Sequence, residues 1–287
     1  MPQKQSKKKS PLKRQRGGTY EFSDQWDIDN ELSLGAITND LDRVQEALKH
    51  GANANAPDQR TAQSPIMLAA LHGNLQMASL LLENGADVND ADVDANRNTA
   101  LMYASSSGDQ KVVTLLIESG ANINAKNKNN QTALMRASED GHPQVVTTLL
   151  EKGADVNAKD KWNKTAIFHA IDQGNTDVVP ILLKYDIDLN IKNKNNLTAL
   201  EYAKRKEYDD IVKLIEDHIK EKKQKTLLEA RLVTEKGKTR EGKPLLASTQ
   251  ADIASQIAEF AGGKRKTRKN MKNKKTHSKR RKTSKKK

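Results

Sequence analysis

Histidine is the residue type that most often holds metals or moves protons near neutral pH, and the chain has six: His50, His72, His142, His169, His218 and His277. No two stand at a metal-ligand spacing with a carboxylate on the same helix face, so no metal site is expected. Glu235 to Thr239 reads Glu-Lys-Gly-Lys-Thr and offers the end of a nucleotide phosphate loop. That motif needs glycine at 232, where Leu232 stands, and no strand leads into it. Adjacent acids such as Glu139 and Asp140 fall where exposed turns are expected, with nothing to perturb their ionisation, and there is no Gly-x-Ser-x-Gly elbow. With no cysteine, disulfides, thiolate zinc and thiol nucleophiles are excluded. The residues predict no enzyme, no cofactor and no small-molecule substrate.

A binding protein is left, and composition constrains its build. Aromatics make up 3% and hydrophobic residues 35% of 287 residues, too little for one deep core, so an open stack of small units is expected. The basic start at Met1 has no apolar stretch behind it and no run approaches a membrane span, which together predict a soluble intracellular protein that does not contact membrane. Charge is segregated. Met1 to Arg16 carries seven Lys or Arg and no acid, Lys264 to Lys287 carries fifteen and no acid, and the rest sums to −9 against +13 for the whole.

The elements that would position a binding surface repeat. Thr99-Ala100-Leu101, Thr132-Ala133-Leu134, Thr165-Ala166-Ile167 and Thr198-Ala199-Leu200 recur every 33 residues, and Gly120 to Asn124, Gly153 to Asn157 and Asp186 to Asn190 keep the same beat. Earlier copies are looser, with Ser64-Pro65-Ile66 and the closing runs Gly51 to Asn55 and Gly85 to Asn89. In one copy Thr132 suits a helix N-cap and Gly141 a left-handed stop. Pro143 then suits a second helix start, with Val145, Val146, Leu149 and Leu150 on one stripe before Gly153. A single unit cannot bury such a stripe alone, so units must stack.

These motifs, Thr-Ala-Leu, the Gly-His turn, Leu-Leu and Gly-Ala-Asp-Val-Asn, closely resemble ankyrin repeats. The resemblance covers about residues 30 to 223 as six units beginning near Asn30, Gln59, Asp94, Asn127, Asp160 and Asn193. It implies an all-α solenoid of helix-turn-helix pairs whose end units have polar outer faces, here supplied by the first copy and by the charged last one. The family's proline is Ala in four copies, and its histidine is Met102, Met135, Phe168 or Glu201. A stack without the usual histidine hydrogen bonds, and so less rigid, is expected. Asp186 replaces a closing glycine and Glu207 a turn glycine, both in positions that favour left-handed backbone. Residues 1–29 read as a disordered basic arm, 224–248 as a linker with possible helical extension, and 262–287 as a disordered basic tail. Within 249–261, Thr249 and Asp252 fit a capping box ahead of Ile253, Ile257 and Phe260. This helix either docks on the last repeat or binds a partner.

Ankyrin proteins bind through loop tips and the face made by first helices. Carried onto this chain, that implies a protein partner held by Asn96, Asn98, Lys128, Asn129, Gln131, Lys161, Trp162, Lys164, Lys194 and Asn195 at the tips, and by Tyr103, Arg136 and His169 on the inner face. Trp162, where sister copies have Asn129 and Asn195, either anchors an interface or folds over its neighbour. Lys13, Arg14 and Arg16 at one end, and Lys264, Arg265, Lys266, Lys279, Arg280, Arg281 and Lys282 at the other, suit an import receptor and hence nuclear localisation, or nucleic-acid phosphates, or solubility alone. The tail lacks aromatics for base stacking, and its composition resembles ends found on proteins of large DNA viruses.

Overall fold

The computed structural model describes residues 25–92 and 96–236, and side chains from Asp27 to Glu229 within them. The basic arm with Lys13, Arg14 and Arg16, the tip residue Ala95, the helix expected over 249–261 and the tail carrying Lys264 through Lys282 lie outside the described residues. Twelve helices are described, as six pairs. They are α1 (Gln25–Thr38) with α2 (Leu41–Lys49), α3 (Pro65–Leu71) with α4 (Leu75–Glu83), and α5 (Ala100–Ser107) with α6 (Gln110–Glu118). Then follow α7 (Ala133–Asp140) with α8 (Pro143–Glu151), α9 (Ala166–Gln173) with α10 (Val179–Leu183), and α11 (Ala199–Lys206) with α12 (Asp209–Lys236). The first helix begins five residues ahead of position 30 and the last extends to Lys236, past 223. Packing divides the chain between Glu216 and Asp217, inside α12. The part after the division is described only as helix, with Leu227 and Leu228 exposed on it.

First helices pack on first helices in chain order and second helices from α2 to α10 likewise, burying Leu32, Met67, Leu101, Leu134 and Phe168 in one row and Leu81, Leu116 and Leu149 in the other. Thr99, Thr132 and Thr198 accept the third N–H of their helices, while Asp40, Asn74 and Asp109 do the same for second helices. Gly108, Gly141 and Gly174 end first helices in the left-handed region, and Glu207 takes the same conformation at φ 62.

Asp186 departs from expectation: it stays out of the left-handed region that Gly51, Gly85, Gly120 and Gly153 occupy at its register. The cause lies upstream. Pro180 sits where the sister helix has Thr147, lacks an N–H and crowds the carbonyl one turn earlier, so α10 forms only from Val179 to Leu183. Residues 176–178 are turn instead, and the chain then leaves through Tyr185, whose carbonyl accepts the Ile187 N–H.

Each tip is built on one buried Asp or Asn: Asp58, Asp92, Asn127, Asp160 or Asn193. Asn127 Oδ1 takes the N–H groups of Asn129 and Gln131, and Asn193 Oδ1 those of Asn195 and Leu197. The next turn residue is left-handed, with Asn130, Asn163 and Asn196 at φ 58, which is why the sequence writes Asn there. Arg97 holds the same φ without that tolerance. Replacing exposed Arg97 with Asn is expected to raise stability by about 0.5–1 kcal/mol, read as a higher melting temperature.

Two ladders of hydrogen bonds join neighbouring units without the family's histidine. At the tips, Lys128, Lys161 and Lys194 donate backbone N–H to the carbonyls of Asn96, Asn129 and Trp162 at 2.7, 2.9 and 3.0 Å. At the opposite edge, Asn55, Asn89, Asn124 and Asn157 each donate a side-chain N–H to the carbonyl of the next unit's closing residue (Gly85, Gly120, Gly153, Asp186) and accept the backbone N–H of the residue two positions after it (Asp87, Asn122, Asp155, Asp188). Asp29 begins this ladder by accepting the Asn53 N–H. Where the family's histidine would stand, Met102, Met135 and Phe168 are buried.

Candidate functional site

The tips of units four to six and the helices α7 and α9 enclose a cleft of about 410 Å³, lined by Gln131, Trp162, Lys164 and Lys194 at the tips and by Glu139, His169 and Asp172 on the helices. Trp162 is 41% exposed, with Lys161 Nζ 4.6 Å over its ring. It lines the mouth, on a turn in which Asp160 Oδ1 accepts the Trp162 N–H at 2.8 Å.

Below it is a charged triad in which Asp160 and His169 are buried and Glu139 is part-exposed. His169 on α9 is 4% exposed; its Nε2 donates to Asp160 Oδ2 at 3.2 Å, and its Nδ1 lies 3.7 Å from Glu139 Oε2 on α7, an ion-pair distance too long for a hydrogen bond. Burial opposes the imidazolium, but Asp160 and Glu139 together outweigh it and raise the His169 pKa. His169 lowers the pKa of Glu139, and lowers that of Asp160 against burial, helped by backbone N–H groups of Lys164 and Trp162. Two sequence expectations fail here. His169 does not offer its ring on the inner face because the buried carboxylate at the tip of its own unit, Asp160, claims it. Glu139 is not an unperturbed turn residue, because α9 packs His169 against it.

A second network stands beside the first. Lys164 Nζ contacts Asp172 Oδ2 at 2.5 Å, Tyr202 donates its hydroxyl to Asp172 Oδ1, and Lys206 Nζ lies 3.7 Å from Asp172. Burial works against the Lys164 charge and Asp172 overcomes it, raising the pKa; burial and Asp172 both raise that of Tyr202. Lys164 Nζ is also 5.2 Å above the Tyr202 ring.

The other expected residues divide into exposed and engaged. Asn96, Lys128, Lys161, Lys194 and Asn195 are exposed at the tips. Asn98 and Gln131 accept from Asn127, Asn129 accepts from Lys161 Nζ, Arg136 bonds Ser106 and pairs with Glu139 at 3.5 Å, and Tyr103 donates to Asp92. Asn193 and Lys206 escaped the sequence reading, which weighed Tyr202 only as a weak interface candidate or a half-buried packing residue. A signal existed within the repeat: where the tip residue is Asp92 or Asp160, its partner on the following helix is a hydrogen-bond donor, Tyr103 or His169. Among the described residues no group of His, Asp and Glu is arranged to hold a metal, and no helix is long and apolar enough to cross a membrane.

The paired helices, the left-handed tips and the 33-residue beat define a repeat solenoid. The family profile for ankyrin repeats (3 copies) matches residues 32–127, 124–160 and 134–226, about two thirds of the chain, and the chain belongs to the ankyrin-repeat family. It is similar to "Arf-GAP with coiled-coil, ANK repeat and PH domain-containing protein 2" of Homo sapiens and Oryctolagus cuniculus, 38% identical in each over 64 residues. That stretch is 22% of this chain and 8% of the relative, so the chain spans under a tenth of the relatives it matches. Ankyrin repeats are protein-interaction modules, and protein binding is the role the family supports.

Proposed function

We propose that this chain is a non-enzymatic adaptor that holds a protein partner at the cleft of units four to six, while its basic ends set its location. The observation that carries this is Trp162, a large apolar ring at the mouth of a polar cleft, on a hydrogen-bonded turn. Such an aromatic, flanked by cations, has the composition of an interface hot spot. A photoreactive residue placed at Asn195 is expected to cross-link a discrete protein in cells, and one at Gln144 on the second-helix face is not. Trp162→Ala is expected to reduce that cross-link by about thirtyfold in affinity terms without lowering the melting temperature. Equal cross-linking from both positions sinks the reading.

The clusters Lys13-Arg14-Gln15-Arg16 and Lys279-Arg280-Arg281-Lys282 favour nuclear import. A second reading, association with nucleic acid through the ends, is favoured by fifteen basic residues and no acid from Lys264 onward. Truncation after Gly263 separates the two: loss of nuclear accumulation with partner retained supports an address, and loss of a nuclease-sensitive association supports nucleic acid.

A further inference from the structure

The cleft has a hydrogen-bond donor without an acceptor. Asn193 is 4% exposed and lines the cleft; because its Oδ1 takes two backbone N–H groups, its Nδ2 is fixed as the donor, and it has no partner among the described residues. The sister residue two units earlier shows what is missing. Asn127 Nδ2 donates to Asn98 Oδ1 on the preceding tip at 2.9 Å and to Gln131 Oε1 on its own tip at 3.2 Å. At the register of Asn98 and Gln131, the tips around Asn193 carry Lys164, which only donates, and Leu197, which does neither. A buried amide left unpaired is costly, so an acceptor brought from outside would be bound with gain.

The charge of the acceptor follows from the tips. Lys126, Lys159 and Lys192 share one register and Lys128, Lys161 and Lys194 another, all exposed, while the single acid on these three tips is the buried Asp160. The carboxylates below the mouth are already compensated. Asp172 has Lys164 and Lys206, Glu139 has Arg136 and His169, and Asp160 has His169 and two backbone N–H groups. The mouth therefore presents positive charge over an unpaired N–H, although 17–263 as a whole is acidic. Only one aromatic stands on this edge, so there is no series of rings on which successive bases could stack.

We propose that the tips of units four to six dock an extended acidic segment of a protein partner, one of whose carboxylates enters the cleft and accepts the Asn193 Nδ2 hydrogen bond while the flanking acids lie along the lysines. This rests on the adaptor reading and names its partner's chemistry.

The test uses the full chain and a fluorescein-labelled Glu-Gly repeat peptide carrying a benzophenone, titrated at fixed ionic strength, with cross-links mapped. The basic ends give the same background in every variant, so differences between variants are read. Lys128→Glu/Lys161→Glu/Lys194→Glu is expected to weaken binding by more than about tenfold and to flatten its salt dependence. Leu197→Gln, which restores the acceptor that Gln131 supplies in unit four, is expected to weaken binding by about fivefold with the fold intact. Cross-links are expected within residues 191–197. An unchanged affinity in Leu197→Gln, or cross-links confined to the ends, overturns the proposal. So does a single-stranded oligothymidine that displaces the peptide from 191–197 and binds there more tightly. If the peptide fails while Trp162→Ala still abolishes the cellular cross-link, the adaptor stands and only the acidic chemistry falls.

Discussion

Asp160→Ala is expected to lower the unfolding free energy by about 3–5 kcal/mol, because it removes the fully buried carboxylate paired with His169 and leaves the buried imidazole with only the part-exposed Glu139 at 3.7 Å. The side chain does two jobs. Its Oδ1 fixes the turn through Trp162 and Lys164, and its Oδ2 holds His169. Asp160→Asn separates them, since Asn127 and Asn193 fix the same turn in sister tips as amides. The loss in Asp160→Asn is therefore the electrostatic part, and the further loss in Asp160→Ala is that of the turn. Chemical denaturation of the three proteins measures both, and a drop under 1 kcal/mol in Asp160→Ala would mean that the triad adds nothing.

The same triad makes the stability depend on pH in a stated direction. His169 has a folded pKa raised above its ordinary 6.5, so its contribution is complete below 6.5 and is lost as pH rises through the raised value. Glu139 and Asp160 have folded values below 4.5 and 3.8, so theirs are complete above those and lost as pH falls through the lowered values. Between about 4.5 and 6.5 all three are in place. The difference in stability between the wild type and His169→Gln should be flat across that window and shrink on the alkaline side. A difference that grows with pH above 6.5 would reverse the assignment.

How much of this was readable beforehand depends on whether a feature repeats. The helix pairs, their caps at Thr132 and Thr198 and their stops at Gly108 and Gly141 follow from local propensity written several times over, and each copy checks the next. The triad does not repeat. Its members come from two units, and what joins Glu139 to His169 is the stacking of α9 on α7, which no local spacing in the chain displays. The short α10 was legible in principle, because Pro180 breaks the register in plain view, but the reading weighed Asp186 and not the proline six residues before it. Asn193 could be seen only by asking what its sisters touch.

Phe168→Ala is expected to cost about 3–5 kcal/mol, the range for truncating a fully buried aromatic. Phe168 occupies the register of Met102 and Met135 on α9, and its ring meets that of Tyr202 on α11 at 5.6 Å between centroids, tilted by 54°. It therefore fills its own unit and joins that unit to the next. In a solenoid, stability is close to a sum of unit and neighbour terms, so the loss should fall on units five and six, where α10 already contributes five helical residues against nine in α8. Hydrogen exchange is expected to accelerate at amides of α9 and α11 while those of α3 to α6 keep their wild-type protection, and the thermal transition should split in two. Phe168→Met, which copies the sister units, should cost under about 1.5 kcal/mol and leave one transition. If Phe168→Ala instead lowers protection evenly from α3 to α11, the stack unfolds as one body, and the short α10 is not its weak joint.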